Sequence, residues 1–227
     1  ENEELKGRAA SDDKIVGCSA VVAQLRSKIA RVAPTNSRVL ITGSSGSRKE
    51  LIARILHNHS DRSNGPFMAV NAASMVPERV EEELFGVMSE DGQIVKSGLL
   101  EKAHNGTLYL DEVADMPLET QGKLLRLLVE QRFQRIGGDA HVQVDVRVIT
   151  STSRDIEKEV ALGRFREDLY HRLAVVRVDL PPLRDRKTDI LLLADHFMFK
   201  YGRQYQKSIR RISTPAIDML MRYHWPG

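Results

Sequence analysis

The chain has little sulfur and little aromatic surface. Its single cysteine, Cys18, rules out an internal disulfide framework among 227 residues and fits a reducing, cytoplasmic compartment. One Trp and 5% aromatic content leave no set of stacking rings for single-stranded nucleic acid. No apolar run approaches the ~18 residues of a membrane helix, so no membrane partner is expected. The charges are nearly balanced, 34 Lys+Arg against 31 Asp+Glu. Such a balance does not by itself argue for nucleic-acid binding, which needs a clustered basic face. The densest basic cluster, residues 207–211 (KSIRR), reads as a solvated stretch.

Against these absences, residues 38–50 stand out: RVLITGSSGSRKE. A β-type run, Val39-Leu40-Ile41-Thr42, enters a Gly/Ser-rich turn. Lys49 follows, then Leu51, Ile52, Ile55 and Leu56 at helical spacing. Strand, small-residue loop, lysine and helix form the layout of a phosphate-binding P-loop. Backbone N–H groups wrap phosphates, the helix N-terminus adds positive potential, and the lysine meets the outer phosphates. Gly43 and Lys49 are correctly spaced for G-x-x-x-x-G-K-[ST]. Arg48 replaces the second glycine, and Glu50 replaces the Ser/Thr.

The remaining chain alternates strands and helices. A helix is predicted over 20–32, with Ser19 as its N-cap and Pro34 beyond its end. Strands are predicted at 38–42, 67–71, 107–111, 145–151 and 174–180. Residues 77–85 read as an acidic helix, 87–97 as a polar loop, and 98–104 as helical. A long amphipathic helix is expected over 117–131, a small hairpin around Gly137-Gly138, and a helical stretch interrupted near Gly163 over 156–172. Short apolar strands between helices imply a five-stranded parallel sheet covered on both faces, an α/β fold. After Pro181-Pro182 only helices are expected, over 189–201 and 214–224. The charged opening, ENEELK, reads as the end of a helix arriving from an upstream segment.

Ligands of an open parallel sheet bind at the carboxyl ends of its strands. The third strand ends in Asp111-Glu112, and burying carboxylates is costly without a cation or donors. Beside a P-loop, Asp111 suits Mg²⁺ and Glu112 suits activation of a water. The alternative is a strand-end acid pair capping the next helix. Asn71, closing the second strand, offers an amide to hold Glu112. Thr152 and Ser153, at the end of the fourth, offer hydroxyls to a γ-phosphate. Arg166 and Arg172 flank an acidic pair, where arginines stabilise phosphoryl-transfer charge across a subunit interface or make ordinary surface ion pairs.

These segments, with ELFG, GTLYLDEVADMP, QGKLLRLL, RIGG, VRVITSTSRD, GRFREDLYHRL, LPPLRDR and YHWPG, resemble the AAA+ ATPase domain of bacterial enhancer-binding proteins, the NtrC family of response regulators. The resemblance implies an AAA+ P-loop NTPase fold with a small, truncated α-helical lid. It implies a linker from an absent receiver domain over 1–13, an ATP-binding domain over 14–183 and the lid over 184–227. It implies ATP/ADP and Mg²⁺ as cofactors. Gly43, Ser44, Ser45, Gly46, Ser47, Arg48, Lys49 and Glu50 then form the Walker A loop, with Val16 and Gly17 also at the nucleotide. Asp111 and Glu112 become Walker B, Asn71 the glutamate switch, Thr152 and Ser153 sensor I, and Arg166 and Arg172 the arginine fingers.

The chain departs from that pattern in three places. Arg48 puts a Cβ and a cation where backbone approaches phosphate. Residues 87–97 (VMSEDGQIVKS) stand where the family carries GAFTGA, the loop that engages sigma-54. The family pattern continues past Trp225-Pro226-Gly227 with a sensor II arginine and a helix-turn-helix, neither of which is expected within these 227 residues. The second departure resembles the NtrX-type nitrogen regulators and implies transcriptional regulation without sigma-54. Expected partners are further copies of the chain in a dimer or hexamer-type ring, the receiver and DNA-binding domains of the full-length protein, and RNA polymerase. Two readings stay open: an ATPase, and a non-hydrolysing nucleotide-binding or structural oligomerisation module.

Overall fold

A computed structural model describes residues 14–226; the linker expected over 1–13 lies outside them. The described chain divides into two compact units. The larger comprises Ile29–Gly43 and Arg48–Asp179. It is built on a five-stranded parallel sheet: β1 (Val39–Thr42), β2 (Phe67–Asn71), β5 (Thr107–Asp111), β8 (Arg147–Thr152) and β9 (Val176–Asp179), in the order β2-β5-β8-β1-β9. The central strands are rich in aliphatic and β-branched residues, and β8 is buried throughout, as a sheet covered on both faces requires.

Helices α2 (Lys49–Asn58), α3 (Pro77–Phe85), α4 (Leu99–Lys102), α5 (Leu118–Glu130), α6 (Ile156–Ala161) and α7 (Glu167–Leu173) follow in chain order. Leu84, Leu108, Leu124, Leu127, Phe165 and Leu169 belong to one buried cluster. Each such side chain contributes about 1.5–3 kcal/mol by leaving water. A polar contact orders the amino edge of the sheet. The buried Arg147 guanidinium donates to the carbonyls of Val32 at 3.1 Å, Ala33 at 2.8 Å and Ser37 at 3.2 Å. It thereby satisfies carbonyls where α1 (Ala20–Val32) ends.

Residues 87–97 are not the loop that their polarity suggests. β3 (Gly86–Met88) and β4 (Ile94–Ser97) pair antiparallel across a turn at Ser89–Gln93. Gly86, at φ 77°, makes this possible: a Cβ there would lie 2.5 Å from the Lys96 carbonyl oxygen. The Met88 amide donates to the Ile136 carbonyl, so the hairpin also leans on the segment leading from β6 (Arg132–Gln134) to its antiparallel partner β7 (His141–Gln143). The lack of buried alternation hid these strands, because the adjacent Ile94 and Val95 both face solvent.

The smaller unit comprises the described residues up to Lys28, Ser44–Ser47, and the chain from Leu180 on. Its helices are α8 (Thr188–Gln204) and α9 (Thr214–Arg222), with the first part of α1. No described helix is long and apolar enough to cross a membrane.

Candidate functional site

The parallel register lines up the carboxyl ends of the strands. Thr42 is the register partner of both Thr152 and Asp179, and Asn71 that of Asp111. From β1 the chain turns through Gly43 and Ser44–Ser47, where the Ser47 amide donates to the Ser44 carbonyl and Gly46 has φ 78°. Arg48 is the N-cap of α2 at φ 62° and ψ 46°, a left-handed conformation that glycine adopts without strain. Its side chain is exposed. The arginine therefore takes up the backbone geometry of the missing glycine, with its cation in solvent. Glu50, in place of the hydroxyl residue, pairs along α2 with Arg54 at 2.7 Å.

Lys49 is buried at the first position of α2. Its Nζ lies 3.2 Å from the Gly43 carbonyl oxygen and 3.1 Å from Glu112 Oε1. Glu112 has φ 52°, which turns it away from the line of β5. Its Oε2 accepts from the Ser153 amide at 2.7 Å and from the Ser153 hydroxyl at 2.9 Å. Glu112 is thus held from two sides, by the loop lysine and by the residue following β8.

Asn71 does not hold Glu112, as its position suggested. Its Nδ2 donates to Asp111 Oδ2 at 2.9 Å, while its Oδ1 caps the turn Ala72–Ser74 by accepting from the Ala73 and Ser74 amides. Register explains the difference. Asn71 and Asp111 are direct cross-strand partners, so their side chains share a face, whereas Glu112 has already left the strand.

Asp111 collects further donors that sequence reasoning missed. The Ser151 hydroxyl donates to Asp111 Oδ1, and the Tyr109 hydroxyl lies 2.9 Å from the same oxygen and from Ser151 Oγ. Burial pushes the Tyr109 hydroxyl well above its ordinary pKa, so it stays a donor. Period-two alternation was the available signal: Tyr109 and Asp111 share a strand face, and pairing of Leu110 with Thr150 brings Ser151 alongside. Thr152 is buried; its carbonyl accepts from the Gly43 amide at 3.4 Å and its Oγ1 from the Arg154 amide.

Arg166 and Arg172 stand on α7 and its N-cap, both exposed. Arg166 makes a two-point ion pair with Asp168, at 3.0 and 2.8 Å, and its amide donates to the buried Gln121. The Arg172 carbonyl accepts from Arg38. Burial, and secondarily the Arg172 charge, lowers the pKa of Arg38. Neither arginine pairs with Asp111 or Glu112. Val16 and Gly17 lie in the smaller unit, in the segment before α1.

Two observations test the fit of a nucleotide and its cation. Ser47 Oγ is buried without a hydrogen-bond partner, which a phosphate oxygen would supply. Among the described residues no group of three or more His, Cys, Asp or Glu is placed to hold a metal. Asp111 gives the strand end a carboxylate, and Mg²⁺ is commonly held by one or two carboxylates together with substrate phosphates.

Residues 15–179 match the family described as "Sigma-54 interaction domain". The chain belongs to the sigma-54 interaction domain family. Residues 184–227 match a second family, "AAA+ ATPase lid domain". A relative in Azorhizobium caulinodans, "Nitrogen assimilation regulatory protein NtrX", is 53% identical over 213 residues, covering 94% of this chain and 47% of its own. Crystal structures of NtrX from Brucella abortus, in complex with ADP and with ATP, superpose with a TM-score of 0.92 each, at 52% and 51% identity. Each match covers 100% of this chain and 50% of that one. This sigma-54 interaction domain therefore has the AAA+ P-loop fold, and it spans about half the length of these relatives.

Proposed function

We propose that this chain is the nucleotide-binding AAA+ domain, over 14–183, and helical lid, over 184–227, of an NtrX-like two-component transcriptional regulator of the nitrogen response. One arrangement carries the reading: Lys49, Asp111, Glu112 and Ser153 converge at the carboxyl edge of a parallel sheet, immediately beyond a glycine loop. ATP and ADP in the Brucella NtrX crystals support the same ligands here.

The loop amides from Gly43 to Lys49 receive the phosphates, and the Lys49 ammonium meets their outer oxygens. Asp111, oriented by Asn71, Tyr109 and Ser151, would hold Mg²⁺, with Glu50 close in sequence to the lysine that meets the same phosphates. The cation would supply charge neutralisation at the phosphates. Glu112 accepts the proton of the attacking water once its bonds to Lys49 and Ser153 are released. Arg166 and Arg172 reach the γ-phosphate of a neighbouring copy in a dimer or ring. The receiver and DNA-binding domains of the full-length protein, RNA polymerase and a cytoplasmic setting complete the proposal.

Regulation proceeds without sigma-54. In place of a free loop stands the β3–β4 hairpin, tied by Met88 to Ile136. Open-complex formation at a sigma-54 promoter, driven by this protein, would contradict that part.

A second reading is favoured by the restraint on Glu112: a module that binds nucleotide without hydrolysing it. Phosphate release by wild type and Glu112→Gln separates the two. Release by wild type alone supports the ATPase. Equal background rates, with ATP bound, leave the module.

A further inference from the structure

The amino edge of the parallel sheet, at the opposite end of the strands from Lys49 and Glu112, carries a cavity of about 390 Å³. Small-molecule sites fall in the range of about 300–1,000 Å³. The cavity lies wholly within the larger unit. Asn36, Asp61, Arg62, Asn105, Asp145 and Arg147 are among its lining residues. They come from the segments that lead into β1, β2, β5 and β8.

This lining is fixed by its own bonds. Arg62 donates from Nε to Asn36 Oδ1 at 2.9 Å, and from Nη1 and Nη2 to the Asp145 carbonyl and carboxylate at 3.2 and 2.6 Å. The Asn105 backbone amide donates to the same Asp145 carbonyl at 2.8 Å. Asn105 has φ 59°, a left-handed conformation that asparagine visits more readily than most residues.

The two guanidinium groups differ in their partners. Arg62 has the Asp145 carboxylate. Arg147 is only 2% exposed, yet among the described residues no carboxylate pairs with it. Each of its three nitrogens bonds one backbone carbonyl, which leaves two of its five N–H groups without an acceptor. Burial, and then the charge of Arg62, lowers its pKa. The charge that bears on Arg147 is therefore a like one, whereas buried charges are normally paired. The planar fork of arginine matches carboxylate and phosphate oxygens. Asp145 is already neutralised by Arg62, and Asp61 is exposed.

We propose that this cavity is a second ligand site, taking a small oxyanion, a phosphate or a carboxylate, on Arg62 and Arg147. The site does not depend on the nucleotide reading. Arg147 opens β8 and bonds the Val32, Ala33 and Ser37 carbonyls ahead of β1. Occupancy therefore steadies the start of two strands whose other ends lead to the glycine loop and to Ser153.

The test titrates inorganic phosphate and succinate separately into the isotope-labelled chain at fixed ionic strength, following backbone amide resonances. The amides of Asn36, Arg62, Asn105 and Arg147 should shift saturably. Saturation by both anions assigns the site to oxyanions in general; saturation by one alone assigns it to that class. Phosphate taken up by the glycine loop would shift residues 43–49 instead, so the two sites are read apart. Arg62→Gln should weaken the saturating anion by about tenfold, the scale of a lost charge-assisted hydrogen bond. Asp61→Asn removes an opposing charge from the lining and should tighten it several-fold, an effect that a merely structural lining would not give. Arg147→Gln should abolish binding. If that variant does not fold, Asn105→Gly serves in its place: it suits the left-handed turn, deletes only the side-chain amide and should weaken the anion several-fold. Shifts that stay linear in anion concentration, or that are confined to residues 43–49, overturn the site. So does binding that Arg62→Gln leaves as tight as in wild type, or that Asp61→Asn fails to strengthen.

Discussion

Lys49 Nζ and Glu112 Oε1 lie 3.1 Å apart, so the cation suited to phosphate and the carboxylate suited to water neutralise each other. On the proposed nucleotide reading, neither is free for its task until the pair opens. Glu112→Gln removes the charge that holds Lys49. It should abolish phosphate release while tightening ATP binding several-fold, about 1 kcal/mol, the scale of a modest ion pair. Lys49→Ala should lose ATP binding instead. Calorimetry beside a phosphate-release assay checks both; weaker ATP binding by Glu112→Gln would show that the pair does not compete with the ligand.

The restraint on Glu112 runs through Ser153 and not Asn71, and the two variants should behave differently. Ser153→Ala deletes the hydroxyl bond to Oε2 but leaves the amide bond. Basal phosphate release should rise about threefold, in line with one hydrogen bond of about 0.5–1.5 kcal/mol partly lost. Asn71→Ala removes a donor from Asp111 and should raise the Mg²⁺ concentration needed for half-maximal rate. A rise in basal rate from Asn71→Ala at saturating Mg²⁺ would return the switch to that residue.

The fold was legible because its strands are short aliphatic runs between glycine turns and amphipathic helices. Residues 67–71 and 107–111 form the strands expected there, and 20–32 the expected helix. Of the candidate site residues, Lys49, Glu112 and Ser153 do meet. The partners were not legible. Whether an amide at Asn71 reaches Asp111 or Glu112 depends on cross-strand register and on Glu112 turning to φ 52°, and neither is written in residue type. Tyr109 reads as a core aromatic, yet its hydroxyl belongs to the Asp111 network. The β3–β4 hairpin escaped notice because an exposed two-stranded ribbon shows no buried alternation. Asp189 opens a helix far along the chain from Cys18 and Ser19, and only the fold brings them together.

Arg48 occupies a left-handed conformation that costs a residue with a Cβ about 1–2 kcal/mol. Its exposed side chain contributes little packing, so substitutions there isolate the backbone. Arg48→Gly should be more stable than Arg48→Ala by about 1 kcal/mol, with the greater chain entropy of unfolded glycine offsetting part of the strain relief. Urea denaturation of the two variants measures the difference. Alanine equal to or better than glycine would mean that the loop does not impose this conformation.

His57 links stability to pH. It is buried on α2, with Nδ1 2.9 Å from Thr107 Oγ1. Burial, then the charges of Arg147 and Arg54, lowers its pKa. The folded state therefore resists protonating a ring that the unfolded chain protonates near its ordinary value of about 6.5. This contribution is fully present above about pH 6.5 and is lost as pH falls through the lower folded-state value, with a limiting slope of about 1.4 kcal/mol per pH unit. His57→Gln keeps a polar group within reach of Thr107 but carries no titrating ring. Between pH 7 and pH 5, urea midpoints should fall more steeply for wild type than for His57→Gln, whose remaining slope reports the other titrating groups. Parallel curves would place the acid sensitivity elsewhere, with the carboxylates Asp189 and Glu101, whose pKa values are also lowered, as the next groups to lose stability at still lower pH.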